Sequence, residues 1–124
     1  MSKRDIVLLL EDMQESAIKI KKYTAGMNYE SFMADEKTID ATIRNFSIIG
    51  EAANRMDPHF RLQNPTIEWR RIRGLRNRII HDYFGIDLEI VWSIIEYDLS
   101  GLIGQLEELI DKQKLENPDH NEII

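Results

Sequence analysis

Cysteine is absent from all 124 residues. That excludes disulfides and thiolate zinc sites, and it makes a reducing compartment the natural one. Long apolar runs are missing too. The run Ile6 to Leu10 is closed at once by Glu11 and Asp12. It is too short for a membrane span and lacks a small-residue cleavage site, so the chain reads as a mature cytoplasmic protein with no membrane partner. No window alternates as a half-buried strand would, and there are no internal repeats. HExxH, paired-acid metal clusters, the P-loop and GxGxxG are all missing. His59 and His120 fall in a loop and in the tail, so neither makes a helical metal pair with His81. No cofactor and no metal are expected.

What is present is 43% apolar and 31% charged residues, enough to bury one core in one domain and stay in solution. Net charge is −6, unevenly placed. From Asn54 to His81 seven arginines (55, 61, 70, 71, 73, 76 and 78) face only Asp57 and Glu68, a balance of +5. From Asp82 onward eleven acids face Lys112 and Lys114, a balance of −9. An acidic protein is not a general nucleic-acid binder. A local arginine cluster on an acidic body suits one anionic ligand held in one place. The alternative is a solvated basic face paired with the acidic helix that follows.

Helical periodicity runs through almost the whole chain. A first helix is predicted over about 5–24, with the stripe Ile6, Leu9, Leu10, Met13, Ala17, Ile20 and a stop at Gly26. A polar connector with a short helical turn follows at about 29–33. The second helix covers about 35–56. Gly50 lies inside its apolar stripe, where glycine costs about 1 kcal/mol relative to alanine; its missing side chain predicts a close helix crossing. Asp57-Pro58 ends this helix, and 59–63 reads as a loop. Asn64-Pro65 is read as the N-cap and first residue of a third helix reaching about His81. The fourth begins near Asp87, with a bend or break at Asp98 to Gly101. The fold class is therefore all-α, an antiparallel bundle of four to five helices over 1–114. Residues 115–124 are expected to be a flexible polar tail.

The third helix carries two stripes. On a helical wheel Trp69, Ile72, Leu75, Ile79 and Ile80 form the core side. Arg70, Arg73, Asn77 and His81 form a polar ribbon. Arg76 is the outlier: it falls within the apolar arc, where a charge needs a partner because desolvation costs several kcal/mol. It lies about 140° around the helix from His81 at ~100° per residue. Two side chains so placed do not converge on one small group unless the helix unwinds or a second copy completes the site. The sequence geometry therefore favours a dimeric site.

Arginine grips phosphate with paired hydrogen bonds, and histidine moves protons near neutral pH. Cutting RNA without metal asks for these two types. Plainer roles stand beside this one. His81 suits a helix C-terminus, Arg76 suits an acid on a neighbouring helix, and Tyr83 and Phe84 suit core anchoring. Trp69 and Trp92 suit the core or a dimer interface.

The stretch "GLRNRIIHDYFGID", residues 74–87, carries R-x4-H-x-Y as Arg76, His81 and Tyr83, with polar Asn77 after the arginine. Together with "IGEAANRM", "EWRRIRGLRN" and "HDYFGIDLEIVW", it resembles the HEPN superfamily, specifically the HepT-like toxins, over roughly residues 4 to 112. The resemblance implies a homodimeric all-α bundle with its active cleft at the two-fold axis. It implies a metal-independent endoribonuclease acting on cellular RNA, with Arg76 and His81 catalytic. Arg70, Arg73, Asn77 and Arg78 are the candidate substrate-binding residues on the same helix. It implies a type VII-like toxin–antitoxin pair, in which a minimal nucleotidyltransferase antitoxin transfers AMP to Tyr83. It also leaves room for an inactive adaptor that binds a nucleotide or a partner. A helix continued past His81 would bury Tyr83 with the core, so a reachable tyrosine predicts a helix end by about His81.

Overall fold

Ser2 starts the first helix by a reciprocal cap. Its hydroxyl accepts from the Asp5 N–H at 3.1 Å, and the Asp5 carboxylate accepts from the Ser2 N–H at 3.4 Å. This satisfies donors that the first helical turn leaves unpaired. The helix, α1 (Lys3–Tyr23), buries Ile6, Leu9, Leu10, Met13, Ala17 and Ile20 along one face. Thr24 closes it with a hydroxyl donating to the Ile20 carbonyl at 2.8 Å, and Gly26 takes φ 77° beyond it, as the sequence predicts. The computed structural model describes residues 1–116; most of the expected tail lies outside them.

The short helix α2 (Tyr29–Met33) buries Phe32, whose ring lies 5.2 Å from that of Trp92. Asp35 then caps α3 (Glu36–Arg55) by accepting from the Thr38 N–H at 3.0 Å. Those Thr38 hydrogen bonds hold the Asp35 carboxyl below the usual carboxylate range. Ile43, Phe46, Ile49, Gly50 and Ala53 are buried along α3, which packs on α1 on one side and on the fifth helix on the other.

Two expectations fail between 57 and 68. Residues 58–63 are not a loop but a helix, α4 (Pro58–Gln63). Asp57 caps it by accepting from the His59 N–H at 2.9 Å, proline occupies its first turn, and Phe60 is buried. Asn64 ends this helix instead of starting the next. Its side-chain amide donates to the Phe60 carbonyl at 2.9 Å, and its own carbonyl accepts from the Trp69 indole at 2.9 Å. The next helix, α5 (Trp69–His81), therefore starts at Trp69.

A 3₁₀ turn, Tyr83–Gly85, follows α5. Asp87 caps α6 (Leu88–Ser93), and a π-helical stretch, Ile94–Asp98, joins it to α7 (Leu99–Leu115). The expected break at Asp98 to Gly101 is thus a widened turn just before it, of the kind that inserts one residue without stopping the helix. α7 packs along α1. Among the described residues no helix is long and apolar enough to cross a membrane.

The bundle is open on one side. α5 leans chiefly on α3 and on the turn that follows it. Between α5 and α7 runs a groove of about 310 Å³, floored by Phe46 and Ile49 and walled by Ile72, Leu75, Leu99 and Leu102.

Candidate functional site

α3 and α5 cross at Gly50. A Cβ built there would overlap the Arg76 Cβ and would stand 3.2 Å from the Ile72 carbonyl oxygen. Only glycine lets the two backbones approach this closely, so the expected role of Gly50 is borne out. The stem of Arg76 lies in the notch, as side chains with long methylene stems often do. The guanidinium emerges onto Glu51, with Nη2 2.7 Å from Oε2. Nη1 makes a long 3.4 Å contact with Asn77 Oδ1, and Nε is buried without a partner among the described residues.

The acid that an arginine in the apolar arc requires is therefore Glu51. It stands next to Gly50 within "IGEAANRM". Its carboxylate is half exposed, so the pair contributes only on the order of 1 kcal/mol. Its larger effect is geometric, because it fixes which way the guanidinium faces.

α5 ends at His81, where the residue pattern requires it to end. The Asp82 N–H donates to the Arg78 carbonyl at 2.8 Å. His81 is exposed, and its imidazole has no hydrogen-bond partner among the described residues. Beyond it, neither Tyr83 nor Phe84 is a core anchor. Phe84 is 99% exposed and Tyr83 is 40% exposed. The two rings meet edge to face at 5.5 Å. Tyr83 is tied back to α3, its hydroxyl donating to Asp40 Oδ1 at 2.6 Å.

That hydrogen bond, and behind it a little burial and the Asp40 charge, raises the Tyr83 phenol above its ordinary value, because a carboxylate acceptor favours the protonated phenol. Asp40→Asn is expected to bring the Tyr83 titration back down toward about 10, read from NMR of ring-labelled tyrosines with Tyr83→Phe assigning the signal. An unchanged titration in Asp40→Asn would show that the bond does not form in solution.

The polar ribbon is not uniform. Arg70 and Asn77 are exposed, as is Arg78 off the ribbon. Arg73 is half-buried, its Nε donating to Asn54 Oδ1 at 2.7 Å. Arg71, off the ribbon, sits 3.9 Å from Asp98 at the mouth of the open groove. Arg76 and His81 are not joined within one chain: no hydrogen bond or ion pair links them among the described residues. The wheel angle between them persists, because α5 stays helical through both. No group of three His, Asp or Glu side chains positioned to hold a metal ion occurs among the described residues.

Sequence reasoning passes over Glu51, Asp40 and Arg61. The first two meet their partners across 25 and 43 positions of chain, which no local pattern reports. Arg61 had a signal. Asp57-Pro58 is the same cap-plus-proline pair that was read as a helix start at Asn64-Pro65, and a helix there turns Arg61 back toward α3.

Against known proteins, the family described as Ribonuclease HepT-like matches residues 13–117. A Methanocaldococcus jannaschii protein named "Putative RNase" is 35% identical over 123 residues, 99% of this chain and 100% of its own length. A Thermococcus cleftensis protein named "Probable ribonuclease HepT" is 37% identical over 100 residues, 81% of this chain and 91% of its own. No solved structure gives a significant match.

Proposed function

The chain belongs to the HepT-like ribonuclease family, and from that premise we propose that this ribonuclease is an endoribonuclease that cuts RNA without metal, using Arg76 and His81. His81 accepts the proton of a ribose 2′-hydroxyl. The freed oxygen attacks the adjacent phosphorus, the bond to the 5′-oxygen of the next nucleotide breaks, and that oxygen leaves with a proton. The product end is a 2′,3′-cyclic phosphate. Arg76 donates to the phosphate oxygens as charge builds on them, and Arg70, Arg73, Asn77 and Arg78 hold neighbouring parts of the strand.

The observation that carries this reading is the placement of its two principals. Arg76 is fixed at the α3–α5 crossing, its guanidinium partly exposed and held by Glu51, and His81 stands exposed and unpartnered at the end of the same helix. Their separation around α5 supports a cleft shared by two copies across a two-fold axis, each copy supplying both residues.

Regulation follows from Tyr83. Its hydroxyl is the acceptor of AMP from a minimal nucleotidyltransferase antitoxin, which makes the chain the toxin of a type VII-like pair. An added phosphodiester brings negative charge beside the arginines that await RNA phosphate.

Purified protein, expressed without its genomic neighbour, is expected to cleave RNA in EDTA and leave 2′,3′-cyclic phosphate ends. RNA left intact, or cleavage abolished by EDTA, overturns the metal-free mechanism. Co-expression with the neighbouring nucleotidyltransferase is expected to add AMP to the peptide containing Tyr83. An unmodified mass would remove the antitoxin part of the reading and leave the nuclease part standing.

A further inference from the structure

The last turn of α3 holds two arginines from two other helices. Arg61, from α4, donates Nη1 to the Ala53 carbonyl at 2.9 Å. Arg73, from α5, donates Nε to Asn54 Oδ1 at 2.7 Å. Their anchors are consecutive residues, so the two guanidiniums converge on one helix end. Arg55, exposed, lies on the same turn.

Each guanidinium is oriented by a neutral oxygen, not by an acid. Neither has a carboxylate within 4 Å among the described residues; the ion pairs there engage Arg71 and Arg76 instead. Burial, and then the Arg73 charge, push the Arg61 guanidinium down from its ordinary value. Burial is the larger cause, and the Arg73 contribution shows only that the two guanidiniums lie close enough to feel each other. The Asp57 charge acts on Arg61 and partly offsets this, and one Asp57 oxygen is committed to the His59 N–H.

A structural role accounts for part of this. Carbonyls at a helix C-terminus attract cations, and the end of α3 carries about half a negative charge. Two fixed guanidiniums with Arg55 beside them exceed that several-fold. The hydrogen-bond geometry also leaves capacity unused. Arg61 spends Nη1 and keeps the Nε–Nη2 edge. Arg73 spends Nε and keeps the Nη1–Nη2 edge. A free two-nitrogen edge is what a guanidinium offers to a phosphate.

We propose that Arg61 and Arg73, anchored on the last turn of α3, form a binding site for a backbone phosphate of the RNA strand, away from the bond that is cut. Arg73 lies two helical turns before His81, about 12 Å along α5, so this phosphate belongs to a different nucleotide from the scissile one. The site extends the strand's path off α5 and onto the α3–α4 corner. It rests on the ribonuclease reading above.

The test is binding of a labelled single-stranded 2′-O-methyl RNA, which has no free 2′-hydroxyl to attack with, measured by anisotropy over a range of salt. Each phosphate contact adds about 0.7 to the slope of log affinity against log salt for a single strand. Arg61→Gln and Arg73→Gln are each expected to flatten the slope by that amount and weaken binding roughly ten- to a hundredfold. Arg61→Lys is expected to keep the slope, since it keeps the charge.

A loss of packing alone would lower affinity at all salts without changing the slope. Wild-type slope in both glutamine variants therefore overturns the proposal. Arg73→Gln serves if Arg61→Gln unfolds, because Arg73 contacts only a side chain. Failure of the wild-type protein to bind this RNA or to cut ordinary RNA overturns the ribonuclease reading instead.

Discussion

His81→Ala is expected to lower the RNA cleavage rate by about 10²–10⁴-fold, the range that one general base contributes, while leaving the fold in place. The second half of that statement is what gives the first half meaning. His81 is exposed at the end of α5 and bonds to nothing in the described chain, so its removal opens no cavity and orphans no partner. Exposed substitutions of this kind stay within about 0.5 kcal/mol. A variant with wild-type helical signal and melting temperature but no cleavage assigns the loss to chemistry. Equal cleavage by both proteins would remove His81 from the mechanism, and with it the proposed use of the R-x4-H pair.

Gly50→Ala is expected to damage stability and cleavage together, against the usual sign for this substitution. Alanine is the better helix former by about 1 kcal/mol. Here the new methyl would overlap the Arg76 Cβ, an atom fixed to its backbone that no rotamer change can move aside. Overpacking of this sort costs about 1–3 kcal/mol, so the clash outweighs the propensity. α3 and α5 must separate, and Arg76 then leaves both its notch and its 2.7 Å pair with Glu51.

Gly104→Ala supplies the contrast. Gly104 lies within α7, with nothing within 4 Å of its would-be Cβ, so it is expected to gain up to about 1 kcal/mol. Thermal melts of the two variants should therefore move in opposite directions. A rise in melting temperature for Gly50→Ala would mean that the crossing is looser than it looks.

The long helices were legible because each holds a sustained apolar stripe, and α1 and α3 also carry a capping side chain at the head. α3 and α6 start at Asp35 and Asp87, where the pattern places their beginnings, and Gly26 takes the left-handed conformation that a stop needs. α4 was not legible by period, since six residues show less than two turns. Missing it misplaced the start of α5, because Asn64 was assigned to the wrong end of the wrong helix. The site divides in the same way. Gly50 as a crossing point and Arg76 as a charge needing a partner were readable from one helix each. Glu51 as that partner, and Asp40 as the acceptor of Tyr83, were not, because they depend on how two helices are rotated against each other. The unequal fates of the seven arginines are likewise a matter of what stands opposite each one.

The bond between Tyr83 and Asp40 has a mechanical side. It is the one hydrogen bond between described side chains that ties the turn after α5 to α3, and it depends on a single phenolic proton. Any ester formed on that oxygen takes the proton away and sets a phosphate anion against a carboxylate. Attraction becomes repulsion at one atom, and the turn loses its mooring just two residues beyond His81. A modification there would work as a latch release as well as a plug, so its effect on cleavage should outlast trimming of the nucleotide down to the bare phosphate.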